Sequence, residues 1–253
     1  MNRQIIKNLI HGSVTGELKE KYLNGKTTSE ENIMILSAPI PKRSTWPSKK
    51  DAETMIGYTC LENIEFLIDD VVQNKIPGDF IETGVWGGGA CIYAKKLFDS
   101  LNENRKVFVA DSFEGLPKPE LDRYPQDAGD IHHIHDELRI SLDEVKDNFK
   151  KYNCLDNNVI FLKGWFKDTL PTLSKDQKFS IIRLDGDMYS STMDAFTNLY
   201  PKLSLGGYCI IDDYALKNCA QAVHDYIYTN NLNVKMNFIP EAGASAVYWK
   251  KYE

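Results

Sequence analysis

The sequence has few cysteines, and they form no pattern. The five cysteines are scattered through 253 residues, and no two of them make a Cys-x-x-Cys pair. Because zinc knuckles and disulfide frameworks depend on paired cysteine spacings, we predict neither. Unpaired cysteines are typical of a reducing compartment, so we expect a cytoplasmic protein.

Long hydrophobic runs and basic clusters are also missing. No stretch approaches the roughly 20 apolar residues of a membrane helix, and residues 1–10 lack the apolar core of a signal peptide. We therefore predict no membrane partner. The formal net charge is −6, and no block of Lys or Arg occurs. Because nucleic-acid binding needs a basic surface, we predict no nucleic-acid partner, which leaves a small neutral or cationic substrate.

The chain divides into two regions of different pattern. Residues 1–50 are polar and irregular, so we predict an N-terminal extension that acts as a lid or a subunit contact. The alternative is a loosely packed arm without a role. Residues 51–253 are long enough for one large α/β domain. We also expect a homo-oligomer.

From Thr54 onward, helical and strand patterns alternate in five βα units, which is typical of a doubly wound sheet. Only Pro240–Ser245 separates the last two predicted strands, Val234–Ile239 and Ala246–Lys250. A gap this short fits a hairpin and not a parallel crossover. We therefore predict an α/β fold whose sheet is mostly parallel with an antiparallel C-terminal strand. Ligands of such sheets bind outside the carboxyl ends of the strands.

A glycine-rich turn follows the first predicted strand, Asp79–Thr83. The turn Glu82-Thr83-Gly84-Val85-Trp86-Gly87-Gly88-Gly89 has the glycines of a nucleotide-cofactor loop. It has neither the Gly-x-Gly-x-x-Gly spacing nor a Walker lysine. Glu82 suits a cationic ligand group such as the amino group of methionine. The alternative is a tight turn that binds no ligand.

Two further strand ends carry groups suited to a nucleoside. Asp111 ends the second predicted strand, where an acid can accept hydrogen bonds from a ribose diol. Trp165 lies in the loop after the third predicted strand and is placed to line an adenine pocket. The alternatives are a helix cap for Asp111 and a packed loop for Trp165. A nucleotide-dependent oxidoreductase would use the same groups, so it stays an alternative.

Four acids follow the fourth and fifth predicted strands, in the sequences Asp185-Gly186-Asp187 and Asp212-Asp213. Because adjacent parallel strands end close together, these carboxylates would repel one another unless a cation or protons neutralise them. Carboxylate oxygens suit Mg²⁺, and zinc is less suitable because no His or Cys accompanies them. We predict that a cation here binds two substrate oxygens while one Asp takes a hydroxyl proton. The alternative is a set of capping and solvated surface acids.

A long segment, Glu120–Glu137, separates the second predicted strand from its helix, and segments of this length tend to be lids or binding loops. We interpret its three histidines as polar contacts, with metal binding as the alternative.

An oxidoreductase would leave the four acids unexplained. A binding protein that kept the cofactor fold and lost its chemistry is disfavoured by the presence of all four.

The assembled motifs resemble those of the macrocin O-methyltransferase family, whose members methylate deoxysugars on macrolide and aminocoumarin antibiotics. The resemblance covers roughly Glu53 to Lys250. It is carried by Thr54-Met55-Ile56-Gly57, Pro77-Gly78-Asp79-Phe80-Ile81-Glu82-Thr83-Gly84-Val85-Trp86, Val109-Ala110-Asp111-Ser112-Phe113-Glu114-Gly115, Gly164-Trp165-Phe166-Lys167-Asp168-Thr169, Leu184-Asp185-Gly186-Asp187-Met188-Tyr189, and Gly206-Gly207 through Ile211-Asp212-Asp213-Tyr214.

The resemblance implies a class I, Rossmann-like methyltransferase fold, S-adenosylmethionine as donor and Mg²⁺ as metal. The implied acceptor is a hydroxyl of a sugar-containing small molecule, either a secondary metabolite or a polysaccharide precursor. The implied cofactor contacts are Glu82, Thr83, Gly84, Trp86, Asp111, Ser112, Phe113, Gly164, Trp165 and Asp185. The implied metal ligands are Asp185, Asp212 and Asp213, the implied base is Asp185 or Asp187, and the implied substrate contacts are Glu137 and Tyr214.

The sequence departs from the family pattern in three places. Gly87 stands where the family usually has an arginine after the tryptophan. The loop around Arg139 is shorter than in the macrolide enzymes, and the first 50 residues have no convincing match. These departures bear on which acceptor is methylated more than on the methyl-transfer chemistry.

Overall fold

Seven strands form one mixed sheet in the computed structural model, which describes residues 2–41, 45–239 and 246–252. The strands are β1 (Asp79–Thr83), β2 (Val107–Asp111), β3 (Val159–Lys163), β4 (Phe179–Leu184), β5 (Leu203–Ile211), β6 (Asn237–Phe238) and β7 (Val247–Lys250). Their order is β3-β2-β1-β4-β5-β7-β6, and β7 is antiparallel to both of its neighbours. The predicted doubly wound sheet, mostly parallel with an antiparallel C-terminal strand, is confirmed. The predicted connection Pro240–Ser245 lies outside the described residues.

Helices pack on both faces of this sheet. They are α1 (Arg3–His11), α2 (Gly16–Leu23), α3 (Ser29–Leu36), α4 (Tyr58–Gln73), α5 (Gly89–Ser100), α6 (Leu142–Lys151), α7 (Phe166–Thr169), α8 (Tyr189–Leu199) and α9 (Lys217–Thr229). Side chains alternate between the faces along a strand, so Phe80 of β1 joins one buried cluster and Ile81 the other. In the described part of the chain, no helix is both long enough and apolar enough to cross a membrane.

The N-terminal region is not irregular, and that part of the sequence interpretation is wrong. Residues 3–36 contain three helices, and α1 buries Leu9 and Ile10 completely in the same cluster as α4 and α5. The side chain of Asn2 caps α1 by accepting from the Ile5 N–H (3.2 Å). The polar residues that dominate the composition hid this amphipathic pattern. The lid and subunit-contact roles of the region stay predictions.

The order of the strands places a crevice between β1 and β4. The chain builds β2 and β3 on one side of β1 and then returns to build β4 and β5 on the other. At such a switch point the connections leave in opposite directions and open a crevice outside the carboxyl ends of the strands. The glycine-rich turn follows β1 here, and Asp185 follows β4, so the two motifs meet at one place.

Candidate active site

A cleft of about 960 Å³, counted to its solvent-open edge, lies at this switch point. Many of the residues that the sequence analysis singled out line it. They are Gly84, Trp86, Asp111, Ser112, Trp165, Asp185 and Asp187.

The glycine-rich turn packs directly on the end of β4. Gly84 has a left-handed backbone (φ +83°), and a Cβ at this position would collide with the Asp185 carbonyl oxygen. Only glycine therefore lets the turn approach β4 this closely. Trp86 also has a positive φ (+46°), which is unusual for a bulky residue. Its indole N–H donates to the Glu137 carbonyl (2.9 Å), so the turn is tied to the long segment above it.

Asp111 is held by the backbone on both sides. Its carboxylate accepts from the Val85 N–H (2.8 Å) and the Phe113 N–H (2.7 Å), while burial raises its pKa. Ser112 donates to the Gly115 carbonyl (2.6 Å). The prediction that Asp111 binds a ribose remains untested. The fixed carboxylate and its place in the cleft are compatible with that role.

Three other predicted cofactor residues, Phe113, Gly164 and Thr83, are not among the residues that line the cleft. Phe113 is buried and faces the ring of Phe161, and Gly164 has a positive φ (+138°) that turns the chain toward Trp165. Thr83 is 1% exposed at the end of β1. Their direct contact with a cofactor stays a prediction.

The predicted acids do come together. One carboxylate oxygen from each of Asp185, Asp212 and Asp213 lies within 4.8 Å of the others. Asp187 completes the group through its backbone, because its N–H donates to Asp213 Oδ2 (2.9 Å). Asp187 adopts a left-handed conformation (φ +58°), a strained state of the kind that clusters at functional sites. The carboxyl ends of β4 and β5 therefore form one acidic centre.

Sequence reasoning missed Arg183, the buried cation at this centre. Its guanidinium is 1% exposed and forms ion pairs with Glu82, Asp185 (2.6 Å) and Asp212. The one signal in the sequence was an arginine inside the apolar strand Phe-Ser-Ile-Ile-Arg-Leu, two residues before Asp185. A charge in a central strand needs buried partners, and the neighbouring strand ends supply them.

Glu82 is among those partners. It is 2% exposed, and besides Arg183 it accepts from the Cys91 thiol (2.9 Å). Burial raises the pKa of Glu82, and Arg183 opposes that shift. Glu82 thus lies beneath the glycine-rich turn and is not among the residues that line the cleft. The predicted contact with the methionine amino group stays a prediction.

Burial and mutual repulsion favour the protonated forms of these acids. Burial raises the pKa of Asp185 and Asp213 well above the ordinary value, and the neighbouring acids raise it further. Burial and the charges of Asp185 and Asp212 raise the pKa of Asp187 to about 7. Arg183 offsets part of this repulsion, but its guanidinium forms ion pairs with only three of the five carboxyl groups, those of Glu82, Asp185 and Asp212. The cluster therefore has an affinity for protons or for a cation.

The donor set fits a hard divalent cation. It consists of carboxylate oxygens, and Asp212 Oδ1 is buried without a directed hydrogen bond, since its ion pair with Arg183 Nη2 lacks hydrogen-bond geometry. Three carboxylates with oxygens this close resemble the oxygen-rich sites that Mg²⁺ and Ca²⁺ prefer. The residues present thus suit the cation implied by the sequence.

The two predicted substrate residues lie apart from each other. Glu137 belongs to the long segment after β2. Its carbonyl accepts from the Trp86 indole N–H, and its neighbour Leu138 lines the cleft. The Tyr214 hydroxyl pairs with His224 Nε2 (2.9 Å), and its ring faces Phe238. Tyr214 is not among the residues that line the cleft. Their contact with an acceptor stays a prediction.

The long segment after β2 is anchored over the cleft, which the sequence did not indicate. Asp127 is completely buried and accepts from the Tyr189 N–H (2.7 Å) and the Ser190 N–H (3.0 Å). Arg123 pairs with Asp194 (2.7 Å) at the wall of the cleft. His132 pairs with Asp130 (2.9 Å) in a second pocket that also reaches Asp187. The segment thus contacts the helix that follows the acids.

Comparisons with known proteins give a consistent result. The family described as Macrocin-O-methyltransferase (TylF) matches residues 22–251. The demethyldecarbamoylnovobiocin O-methyltransferase of Streptomyces niveus is 45% identical over 212 residues, which cover 81% of this chain and 78% of the relative.

A second relative is the 8-demethyl-8-(2,3-dimethoxy-alpha-L-rhamnosyl)-tetracenomycin-C 4'-O-methyltransferase of Streptomyces olivaceus. It is 42% identical over 207 residues, which cover 81% of this chain and 77% of the relative. Among solved structures, the O-methyltransferase NovP superposes with a TM-score of 0.82 and 37% identity, covering 99% of this chain and 98% of that one. Sequence and fold therefore agree.

Proposed function

The chain belongs to the macrocin O-methyltransferase family, and on that premise we propose that it moves a methyl group from S-adenosylmethionine to a sugar hydroxyl with the help of a divalent cation. The observation that carries this proposal is the packing of Gly84 against Asp185, which brings the cofactor turn and the acidic centre to one cleft. Because the chain belongs to a methyltransferase family, the alternative of a nucleotide-dependent oxidoreductase is discarded.

The sugar acceptor is inferred from relatives. One of them is named for methylation of a rhamnosyl-bearing tetracenomycin at a 4' position. The cleft offers both charged and apolar walls, including Lys118, Arg123 and Leu138, and such a mixture suits a glycosylated small molecule. We propose a hydroxyl on the sugar of such a molecule as the methyl acceptor.

The residues that would hold the cofactor follow from the cleft. Asp111 and Trp165 line the cleft; Asp111 would bind the ribose hydroxyls and Trp165 the adenine. Gly84 packs against Asp185, and Trp86 lines the same cleft. The methionine end of the cofactor would therefore lie toward Asp185. Glu82 would act on the amino group from beneath the turn.

Asp185, Asp212 and Asp213 would hold the cation. When bound, a divalent cation orients two acceptor oxygens and lowers the pKa of a hydroxyl. Arg183 keeps Asp185 and Asp212 in place by binding both. Asp187 carries no such ion pair and lines the cleft, so we propose it as the base.

The proposed reaction is a direct displacement. The acceptor oxygen attacks the methyl carbon while the bond from that carbon to the sulfonium sulfur breaks. The Asp187 carboxylate takes the hydroxyl proton. The products are a methyl ether and S-adenosylhomocysteine, and the residues around the cleft contribute chiefly by holding both reactants in line.

The test is methyl transfer from isotopically labelled S-adenosylmethionine to a panel of glycosylated acceptors, measured in EDTA and after addition of Mg²⁺. We expect activity that depends on the cation and is lost in Asp212→Asn. Lys235→Met is the control, because Lys235 is exposed and is not among the residues that line the cleft. Full activity in EDTA would contradict the cation, and a protein that binds no S-adenosylhomocysteine would contradict the donor.

A further inference from the structure

Glu53 lies where the N-terminal helices meet the glycine-rich turn. Its N–H donates to the Ile10 carbonyl at the end of α1 (3.0 Å), and its carbonyl accepts from the Gly89 N–H (2.8 Å). A Cβ at Gly87 or at Gly89 would come within 2.6 or 2.7 Å of that carbonyl oxygen. The turn therefore rests directly on the Glu53 backbone, and a shift of one moves the other.

The Glu53 side chain fixes this backbone from the other side. It is 3% exposed, and its Oε2 accepts from Lys19 Nζ (2.7 Å) and from the Tyr152 hydroxyl (2.7 Å). Lys19 Nζ also donates to the Leu9 carbonyl (2.9 Å) and the Asp51 carbonyl (3.2 Å). The buried ammonium of Lys19, on α2, thus contacts both the end of α1 and Asp51, two residues before Glu53.

The same unit holds the turn at a second point. Tyr152 follows α6, and Asn148 of α6 donates from Nδ2 to the Gly87 carbonyl (2.9 Å). Two backbone groups of the turn, the Gly87 carbonyl and the Gly89 N–H, are therefore bonded to elements that the Lys19–Glu53–Tyr152 cluster ties together. None of these three residues lines the cleft.

We propose that Lys19, Glu53 and Tyr152 are positioning residues that hold the glycine-rich turn in its cofactor-binding geometry, so that the N-terminal helices set the affinity for S-adenosylmethionine. The inference rests on the proposed function for the identity of the ligand. Its physical basis is that Lys19 is 1% exposed and loses its carboxylate partner in any other arrangement, whereas Glu53 would keep only the longer, more exposed ion pair with Lys151 (3.5 Å).

The test is calorimetric titration of S-adenosylhomocysteine into the full-length chain and its variants. We expect Lys19→Met, which loses the charged hydrogen bond to Glu53 and two hydrogen bonds to backbone carbonyls, to weaken binding by about tenfold. Tyr152→Phe loses one hydrogen bond to Glu53, and we expect it to weaken binding by about threefold. Arg3→Met is the matched control. It removes the ion pairs of α1 with Asp69 (2.6 Å) and Glu65 (3.3 Å) but no contact of Glu53. We expect its affinity to stay within about twofold.

Hydrogen exchange of the peptide over residues 84–92 gives a readout that a general loss of stability does not mimic. Exchange should rise in Lys19→Met and in Tyr152→Phe at a temperature where each is folded by circular dichroism, and not in Arg3→Met. If Lys19→Met does not fold, Tyr152→Phe decides alone. Wild-type affinity and exchange in the folded variants, or equal changes in Arg3→Met, would overturn the inference. A wild-type chain that binds no S-adenosylhomocysteine would instead overturn the proposed function.

Discussion

Asp187 differs from the acids around it in how it is held. Asp185 and Asp212 are ion-paired with Arg183, whereas Asp187 is fixed through its backbone N–H and a left-handed φ. Asp187 lines both the main cleft and the second pocket. Both Asp185 and Asp187 line the cleft, but Asp187 has no ion pair with Arg183, and this difference is why we propose Asp187 as the base.

Asp187→Asn should therefore lower kcat by about 10²–10⁴, because an amide cannot take the proton. Its affinity for S-adenosylhomocysteine should change little, since the turn and Asp111 are untouched. Steady-state kinetics and calorimetry measure the two effects. A variant that keeps more than about a tenth of the wild-type kcat would contradict the assignment of Asp187 as the base.

Arg183 acts as the built-in counter-charge of the acidic centre. Arg183→Met should lower the free energy of unfolding by about 3–5 kcal/mol, because it leaves the buried Glu82 and the half-buried Asp185 and Asp212 without their partner. The loss should be smaller in Mg²⁺ than in EDTA, since the cation would take over part of the neutralisation.

Chemical denaturation with and without Mg²⁺ measures this difference. Lys95→Met is the matched control, because Lys95 is also buried and ion-paired, with Asp99 (2.5 Å) and Asp156 (2.8 Å), but lies outside the cleft. We expect the control to lose stability equally in both buffers. An equal loss for Arg183→Met would argue against a cation at the acids.

At the scale of elements, α8 connects the acids to the segment above the cleft. Asp127 caps this helix from outside by accepting from its first two N–H groups, Tyr189 and Ser190. The partial positive charge of a helix N-terminus favours a carboxylate there. One side chain thus orders the start of α8, two residues after Asp187, and anchors the segment that carries Glu137.

Asp127→Ala should lower the stability by about 0.5–2 kcal/mol, the usual cost of losing a helix cap. It should also raise the hydrogen exchange of residues 120–138. Thr28→Ala removes the capping box of α3 and serves as the control, with a similar loss of stability and no change over 120–138. If the two variants give the same exchange pattern over 120–138, Asp127 does not anchor that segment.

The whole molecule should show an unusual dependence of stability on pH. A carboxyl whose pKa is raised in the folded protein holds a proton that the unfolded chain releases. It therefore lowers stability as pH rises from its unfolded to its folded pKa. For Asp187 this window runs from about 4 to about 7, and the pKa values of Asp185 and Asp213 are raised by the same burial. Acids with a lowered pKa, such as Glu144 at about 2, act below this window.

We expect the metal-free protein to lose on the order of a few kcal/mol of unfolding free energy between pH 5 and pH 8. Denaturation in EDTA at several pH values measures it. Added Mg²⁺ should reduce the loss, because the cation replaces the protons. Stability that rises between pH 5 and pH 8 without metal would show that the acids are neutralised in another way.

Much of the fold could be predicted because it depends on local pattern. The bounds of β1 were predicted to the residue, since an apolar strand that ends in glycine is well marked. The N-terminal helices were missed, although Thr28 and Glu31 form a capping box that was visible in the sequence. Their apolar residues are sparse, and helices this short gain most of their stability from packing against the rest of the chain.

The sequence by itself determined the alternating strands and helices, and with them the meeting of the glycine turn and the acids, because parallel strands end at one edge of a sheet. Only the tertiary structure decided which groups share a charge. Arg183 pairs with Glu82, from 101 residues earlier in the chain, and with Asp212, from the adjoining strand. Likewise, Glu53 supports the turn through Lys19 and Tyr152. Such contacts depend on how distant elements pack, and local spacing carries no record of that packing.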